Sequence, residues 1–503
     1  MKRGDVIRGY RIVSEPTNGG GGRSVWAFAQ RAGNDYFLKQ FLDPKWPTDS
    51  SMGSPAGKAR RREECERFEH RHQQIAARLN PTAIGGGNLV TAIDIFREGT
   101  TYYEVTDRIP ALGLDDLRGF TLRQIAVVLR TLCQSVRLLH RAGIVHGHLT
   151  PANVLLQRTS ASNHFAAKVI GLDDAHPTGD RLATAVDIFA LALIFHVYLS
   201  GGLPMYRASA ETAGVGQQLI FDDELDSRMI ALLGRMTAGA AADRPRIEEV
   251  ITALADETLL RPATGIHSSR GVRVSSNSTS PNYAVDIVFC IDVTGSMAPV
   301  IEKVKEGALF FHKRLEGAMA AKDKAISQLR LRVIAYRDFG DNAGDAIQAS
   351  DFWRIPEQTP DFEAFVRNLH ASGGGDEPES GLEALALAIG SPWERGLDRR
   401  RHIIAVFTDA SAHPLGVGDD ARTYPAGIPA DIDDLFETWG YASSQTAVME
   451  NAAKRLLLFA PDTTPWNIIA ADWNNTVYFP SQAGSGLDDV ELAEVVDVIA
   501  SSV

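Results

Sequence analysis

The chain has 503 residues, which is more than one hydrophobic core usually supports, so its length predicts more than one domain. Its 44% hydrophobic and 23% charged residues are ordinary for a globular protein. The formal net charge of -12 argues against a general nucleic-acid-binding surface, and we expect no nucleic-acid partner.

The cysteines and the N-terminus bear on the compartment. Three widely spaced cysteines, Cys65, Cys133 and Cys290, suggest neither a disulfide framework nor a zinc site, and a reducing compartment fits them best. The N-terminus has no apolar signal segment, and no apolar run is long enough to span a bilayer. We therefore expect a cytoplasmic protein without a membrane span.

In the first half, a β-rich region precedes an α-rich one. Short runs typical of strands, YRIVSE, SVWAFAQ and DYFLKQF, are followed by a Pro- and Gly-containing loop and a charged helix over about 60–79. Two further strands are predicted in LVTAIDIFRE and TYYEVTDRI. After Thr121 the apolar residues recur every three to four positions, which predicts helices.

A composition shift separates the two halves. Residues 261–282 are rich in Ser, Arg, Gly and Pro and lack periodicity, as is typical of a linker. We therefore predict domains over 1–260 and 283–503, joined by a flexible linker over 261–282.

In the second half, apolar strands alternate with helices. The predicted strands are AVDIVFCID, LRLRVIAYRD, HIIAVFTD, RLLLFAP and TVYFPS, and the predicted helices cover about 300–315, 361–370, 380–389 and the residues from about 488. Continuous apolar strands separated by helices predict a doubly wound, mostly parallel α/β sheet covered on both faces.

Hard oxygen donors follow two of these strands. Asp292, Thr294 and Ser296 occupy alternate positions after the first strand, Asp409 ends the strand HIIAVFTD, and Asp376 lies in a glycine-rich loop between them. Ligands of doubly wound sheets bind at the carboxyl ends of the strands, and oxygen donors suit Mg²⁺ or Mn²⁺. The alternative is that Asp292 and Ser296 only cap the following helix.

These residues resemble the metal-ion-dependent adhesion site of von Willebrand factor A domains. The resemblance covers nearly the whole second half and includes Asp-Val-Thr-Gly-Ser, the strand ending in YRDF, the GGGDEPE loop and the Thr408-Asp409 pair. The family usually has Thr in the loop where this chain has Asp376. The resemblance implies a partner protein that offers a carboxylate to the metal.

The first half resembles a eukaryotic-type Ser/Thr protein kinase, which implies a bilobal α+β fold. The run Asn18 to Val25, with Gly20 and Gly22, is similar to a glycine-rich nucleotide loop. Lys39 matches the strand-three lysine, for which Glu69 is the candidate helix partner, and Asn153 matches a metal-binding asparagine.

Two catalytic positions depart from the kinase pattern. His148 stands where the resemblance places the catalytic Asp, and Gly171 stands where it places the metal-binding Asp. Asp173 lies two residues further on, and it could substitute if the loop bulged. These departures predict a pseudokinase whose ATP binding is weak or absent.

Together the two halves predict a bacterial cytoplasmic signalling or scaffold protein, in which a pseudokinase module is joined to a metal-dependent protein-binding domain. One alternative is an active atypical kinase that uses His148 or Asp173 and recruits substrates through its second domain. Another is an assembly factor for a partner ATPase.

Overall fold

The computed structural model describes two compact units. It describes residues 1–503 except 20–22, 80–88, 113–119, 159–164, 181, 201–203, 208–217, 261–281, 299–300, 302–312, 321–324, 343, 374–376, 396–399, 445, 482 and 485–491. The first unit contains Met1–Phe68, Ile95–Glu104 and Pro281–Val503, and the second contains Glu69–Asp94 and Val105–Ser280. These units divide the chain at other positions than the domain boundaries predicted from the sequence, which stay a prediction, as does the linker.

A six-stranded sheet occupies the N-terminal part of the chain. Its strands are β1 (Val6–Ile7), β2 (Tyr10–Ile12), β3 (Ser24–Arg31), β4 (Asn34–Phe41), β5 (Asp94–Glu98) and β6 (Thr101–Asp107), in the order β1-β2-β3-β4-β6-β5. Strands β3 and β4 form a hairpin through a two-residue turn, Ala32-Gly33, in which both residues have positive φ. The strand predictions for SVWAFAQ and DYFLKQF are therefore confirmed. The run LVTAIDIFRE forms a strand only in its second half.

The first helix begins earlier than predicted, because α1 covers Pro55–Arg78. The helices of the second unit are α2 (Leu122–Arg141), α3 (Ala185–Ser200), α4 (Ser227–Met236) and α5 (Ile247–Ala253). Its short strands are β7 (Ile144–Val145), β8 (Val154–Arg158), β9 (Phe165–Val169), β10 (His176–Pro177), β11 (Met205–Arg207) and β12 (Gln218–Ile220). Helix α2 begins with a capping box between Thr121 and Gln124, and its apolar face joins the core around α3.

The seven-stranded sheet of the first unit has the predicted doubly wound topology. Its strands are β13 (Asn282–Asp292), β14 (Ala325–Tyr336), β15 (Ile347–Ala349), β16 (Trp353–Ile355), β17 (Arg400–Phe407), β18 (Lys454–Pro461) and β19 (Thr476–Ser481). The order is β15-β14-β13-β17-β18-β19, with parallel pairing from β14 to β19 and antiparallel pairing of β15 and β16 with β14. The chain passes to opposite sides of β13, which makes β13 and β17 the switch point where such sheets bind ligands.

Helices cover both faces of this sheet. They are α6 (Phe339–Asn342), α7 (Thr359–Arg367), α8 (Gly381–Ile389), α9 (Ile432–Trp439), α10 (Trp466–Asp472) and α11 (Leu492–Ser502), and residues 313–320 are also helical. Separate apolar cores lie on the two faces of the sheet. Most of the helix predicted over 300–315 lies outside the described residues. No helix in the described part of the chain is long and apolar enough to cross a membrane.

Within the first unit, the N-terminal segment packs directly on this α/β sheet. Leu42 belongs to the same apolar core as the inner face of the sheet. The Arg61 guanidinium on α1 lies 2.9 Å from the carboxylate of Asp472, and both side chains are buried. Asp472 also accepts a 2.8 Å hydrogen bond from the Met52 backbone N–H. A buried ion pair therefore joins helix α1, which follows the first strands, to the C-terminal part of the chain.

Asp472→Ala should destabilise the first unit by about 3–5 kcal/mol, because it leaves the Arg61 guanidinium charged and unpaired in the interior. Chemical denaturation of the full chain, followed by a probe in this unit, measures the loss. The exposed pair of Arg62 and Asp49 supplies the matched control, and Asp49→Ala should cost less than about 1 kcal/mol. Equal costs for the two variants would contradict a structural role for the buried pair.

Candidate functional site

Four of the five predicted oxygen donors, all except Asp376, meet at the carboxyl edge of the seven-stranded sheet. Asp292 is the last residue of β13, and Thr408 and Asp409 directly follow β17, its parallel neighbour. Because parallel neighbours end at the same edge, residues 116 positions apart come into contact. This edge is the switch point described above.

Hydrogen bonds hold these side chains in one cluster. One oxygen of Asp292 accepts from the backbone N–H and the hydroxyl of Thr294, at 2.9 and 2.6 Å. Its other oxygen accepts from the Thr408 hydroxyl at 2.8 Å. The Ser296 hydroxyl donates to Asp409 at 3.0 Å, which ties the loop after β13 to the end of β17.

The cluster differs from a simple helix cap. A short 3-10 turn, Gly295–Met297, follows Thr294, and this turn has no side-chain cap hydrogen bond. Asp292 instead binds Thr294 and Thr408, so its oxygens serve the contact between strand ends. Most of the helix that would be capped lies outside the described residues, so the metal-site interpretation and the capping alternative both stay predictions.

Burial makes the ionised form of these carboxylates unfavourable unless a positive charge or hydrogen-bond donors lie nearby. Asp292 and Asp409 are almost fully buried. Burial raises the pKa of Asp292 to about 6, the hydrogen bonds from Thr294 and Thr408 oppose this rise, and the nearby Asp409 carboxylate adds to it. Two buried carboxylates beside three hydroxyl groups form a donor set that fits a hard divalent cation such as Mg²⁺ or Mn²⁺.

The third predicted loop reaches the same edge. The Ser372 backbone N–H donates to the Val293 carbonyl, and the Gly373 carbonyl accepts from the Gly295 backbone N–H, each at 3.0 Å. Asp376 itself lies outside the described residues, so its role as a ligand stays a prediction. Thr408 entered the sequence reasoning only as part of a Thr-Asp pair, and the structure shows its direct bond to Asp292.

Comparison with known proteins matches this part of the chain to a family. Residues 286–417 match the family model of the von Willebrand factor A domain, and this range includes Asp292, Thr294, Ser296 and Asp409. The C-terminal region carries a von Willebrand factor A domain. The hydrogen-bonded cluster lies where the sequence resemblance places the metal site of this A domain.

Several kinases share stretches of sequence with this chain. It is 28% identical over 181 residues to the alpha-protein kinase vwkA of Dictyostelium discoideum, which is 36% of this chain and 27% of that protein. It is 26% identical over 148 residues to human serine/threonine-protein kinase H1, covering 23% and 34% of the two chains. It is 35% identical over 72 residues to ribosomal protein S6 kinase 2 alpha of Xenopus laevis, covering 14% and 10%.

The chain thus spans about a third or less of the length of each of these relatives. The findings show a kinase-like region fused to an A domain. The bilobal arrangement of the kinase-like region stays a prediction.

In the second unit, a buried carboxylate organises the loop that matches the kinase catalytic loop. Asp187 on α3 accepts hydrogen bonds from the backbone N–H groups of His146 and Gly147, at 2.9 and 3.0 Å. It also lies 3.0 Å from a ring nitrogen of His140. These bonds fix the loop backbone, which is a structural task that needs no nucleotide.

The two altered positions, His148 and Gly171, both lie next to Asn153 in this unit. The Asn153 side-chain amide donates to the His148 carbonyl at 2.8 Å. Gly171 has φ of +74°, and a Cβ added there would lie 2.7 Å from the Asn153 side-chain oxygen. An aspartate at 171 would therefore be strained and would displace Asn153. Asp173 follows in a short turn, Leu172–Asp174, and the His148 ring lies 3.3 Å from the Asp174 carboxylate.

The remaining nucleotide-site candidates are distributed over both units. The Lys39 ammonium forms an ion pair with Glu104 on β6, at 3.2 Å and largely buried. Glu69 lies half-buried on α1 and belongs to the second compact unit, and its pairing with Lys39 stays a prediction. Gly20 and Gly22 lie outside the described residues. Glu104 is not among the residues predicted from the sequence. Its place in a strand predicted from the sequence, TYYEVTDRI, was the one indication that it could face Lys39.

His146→Gln should reduce the loss in the free energy of unfolding of the second unit as the pH falls below neutral. Burial lowers the pKa of His146, whose ring bonds the Ile170 carbonyl, so the folded state resists a proton that the unfolded state accepts. Stability is then lost as pH falls below about 6.5, by at most about 1.4 kcal/mol per pH unit. Urea unfolding at pH 7 and pH 5 measures this slope.

Glutamine retains an N–H donor for the Ile170 carbonyl but does not titrate, so the variant isolates the proton. Replacing the exposed His370 by glutamine controls for the loss of a histidine. An identical slope in wild type and His146→Gln would show that His146 does not contribute to acid sensitivity.

Proposed function

We propose that this protein is a signalling or scaffold protein that binds a partner through a divalent metal in its A domain, while its kinase-like region serves as a non-catalytic module. The observation that carries the proposal is the hydrogen-bonded cluster at the switch point of the sheet, in which Asp292, Thr294, Thr408 and Asp409 are buried and Ser296 is exposed.

In this proposal, Asp292, Thr294, Ser296 and Asp409 hold the metal directly or through water, and Thr408 orients Asp292. A bound Mg²⁺ or Mn²⁺ would supply positive charge, and a carboxylate from a partner would complete its coordination, as the resemblance to adhesion sites implies. Asp292 contributes best when it is ionised, and the hydrogen bonds from Thr294 and Thr408 favour that form. The chemistry is recognition of an acidic group.

The kinase-like region lacks two groups that phosphoryl transfer needs. That reaction requires metal charge across the phosphates and a group that positions the nucleophile. Gly171 provides no carboxylate, and the contact with Asn153 leaves no space for one without rearrangement. Asp187 meanwhile keeps the loop backbone in place. These contacts stabilise the folded region without providing the groups for phosphoryl transfer.

One contact favours the alternative of an atypical kinase. The His148 ring and the Asp174 carboxylate are 3.3 Å apart, an arrangement in which the imidazole could accept a proton from a nucleophile. Asp173 beside them could supply a metal carboxylate. An assay of phosphoryl transfer separates this alternative from the scaffold proposal.

The full-length protein should bind one Mn²⁺ in the A domain, and Asp292→Asn should weaken this binding by at least about 100-fold, because it removes a buried anionic donor of nearly the same shape. Isothermal titration calorimetry with Mn²⁺ measures both affinities. Asp361→Asn, which neutralises an exposed carboxylate on α7, is the matched control and should bind as the wild type does. Unchanged affinity in Asp292→Asn would sink the metal assignment.

Purified full-length protein should label itself and generic substrates at a rate at least about 100-fold below the 1–100 per second of ordinary kinases, because two electrostatic groups are altered. Labelled ATP with Mg²⁺ is the assay, and Lys39→Ala is the background control. Robust labelling that disappears in Lys39→Ala would overturn the non-catalytic module. Loss in Asp173→Ala as well would identify that carboxylate as the replacement.

A further inference from the structure

Two arginines lie together at the amino edge of the seven-stranded sheet. Ile403 on β17 is the register partner of Arg455 on β18. In a parallel pair these side chains point to the same face, and Arg401, two residues before Ile403, points to that face as well. Arg401 and Arg455 therefore converge near the beginnings of their strands. Along the strands, Arg401 is about eight residues, or roughly 26 Å, from Asp409, and Arg455, level with Ile403, is about six residues, or roughly 20 Å, from it.

Arg455 is buried without sufficient hydrogen-bond acceptors. Its side chain is 1% exposed. One terminal nitrogen donates to the Lys454 carbonyl, but its Nε and other terminal nitrogen have no hydrogen-bond partner in the described part of the protein. The Nε of Arg401 is likewise buried without an acceptor there. Buried guanidinium nitrogens without acceptors are costly, so this region has an unmet demand for anionic oxygen.

Arg23, from the end of the glycine-rich run, approaches the same place. The Arg23 carbonyl accepts from the Leu42 N–H, the Leu42 carbonyl accepts from the Asn475 N–H, and the Asn475 carbonyl accepts from the Leu456 N–H. Because Leu456 directly follows Arg455, this series of backbone bonds brings Arg23 close to the pair. Arg23 is exposed, so it lies on the solvent side of the cluster.

The charges reinforce the demand for an anion. Burial, followed by repulsion from Arg401 and Arg23, lowers the pKa of Arg455 to about 9. Burial also lowers the pKa of Arg401. The carboxylate of Asp43 favours the charged form of Arg455, but its two oxygens accept hydrogen bonds from the amides of Asn451 and Asn474.

We propose that Arg455, Arg401 and Arg23 form a binding site for a phosphate group at the amino edge of the A-domain sheet. Guanidinium groups match the geometry of phosphate oxygens, and three positive charges suit a multiply charged anion better than a single carboxylate. The phosphate comes either from free inorganic phosphate or from a nucleotide. The site is separate from the metal cluster, so it does not depend on the proposed partner binding.

Thermal unfolding of the full-length protein in sodium phosphate, compared with sodium chloride at equal pH and ionic strength, tests this site. Phosphate at about 100 times its Kd should raise Tm by about 5 °C. Arg455→Met should abolish the phosphate-dependent rise, and its Tm in chloride should equal or exceed that of the wild type, because a buried charge without acceptors is removed. Arg354→Met, which replaces an exposed arginine on β16, should keep the full rise.

Arg23→Met provides a variant that leaves the buried core intact, and it should weaken phosphate binding about tenfold through the loss of one charged contact. An ATP titration in EDTA separates the two sources: stabilisation at lower concentrations of ATP than of phosphate assigns a nucleotide, and the reverse assigns free phosphate. The proposal is overturned if phosphate and ATP both leave the wild-type Tm unchanged. It is also overturned if Arg455→Met or Arg23→Met retains the wild-type phosphate affinity.

Discussion

The hydrogen bond from the Thr408 hydroxyl to Asp292 is the contact on which the geometry of the proposed metal site depends. It joins the ends of β13 and β17, the two strands at which the sheet order reverses. A buried carboxylate there is tolerable only because hydroxyl and backbone donors surround it. The same donors leave Asp292 beside Asp409, so that the cluster accumulates negative charge in the interior. The two buried carboxylates are the basis of the proposed affinity for a hard cation.

In the kinase-like region, the contacts that stabilise the fold are present, whereas two residues at catalytic positions are altered. Asp187 accepts two hydrogen bonds from the backbone of the loop that resembles the catalytic loop and contacts the His140 ring, whereas the positions of the two kinase aspartates carry His148 and Gly171. Supporting contacts are local and independent of nucleotide, so they can persist when catalytic groups change. Asn153 packs closely against Gly171, so that a Cβ at residue 171 would lie 2.7 Å from the Asn153 side-chain oxygen. Fold and catalysis can therefore separate in this region.

The first compact unit unites the two ends of the chain. The buried Arg61–Asp472 pair and the placement of Leu42 in the sheet core give the N-terminal segment a structural share in the A-domain half. The same packing carries Arg23 to the amino edge of the sheet, near Arg401 and Arg455. The N-terminal segment thus contributes Arg23 to a cluster that neither half forms by itself.

The sequence by itself determined the alternating architecture of the second half and the oxygen-donor residues at the carboxyl edge of its sheet. Long apolar strands and the Asp292-Val293-Thr294-Gly295-Ser296 motif are local patterns, and local patterns carry strand identity and ligand chemistry. It also identified His148 and Gly171 as departures, because a motif can be aligned position by position. Confirmed strands and helices differ from prediction mainly at their ends, as with α1, which begins at Pro55.

Only the tertiary structure decided which distant residues meet. The bond between Thr408 and Asp292, the ion pair of Lys39 with Glu104, and the burial of Arg61 against Asp472 all join residues dozens to hundreds of positions apart. Sequence spacing does not encode such pairs, because they depend on strand order, register and packing between elements. The arginine cluster had no sequence signal for the same reason: its charges become significant only where folding removes water and supplies too few acceptors.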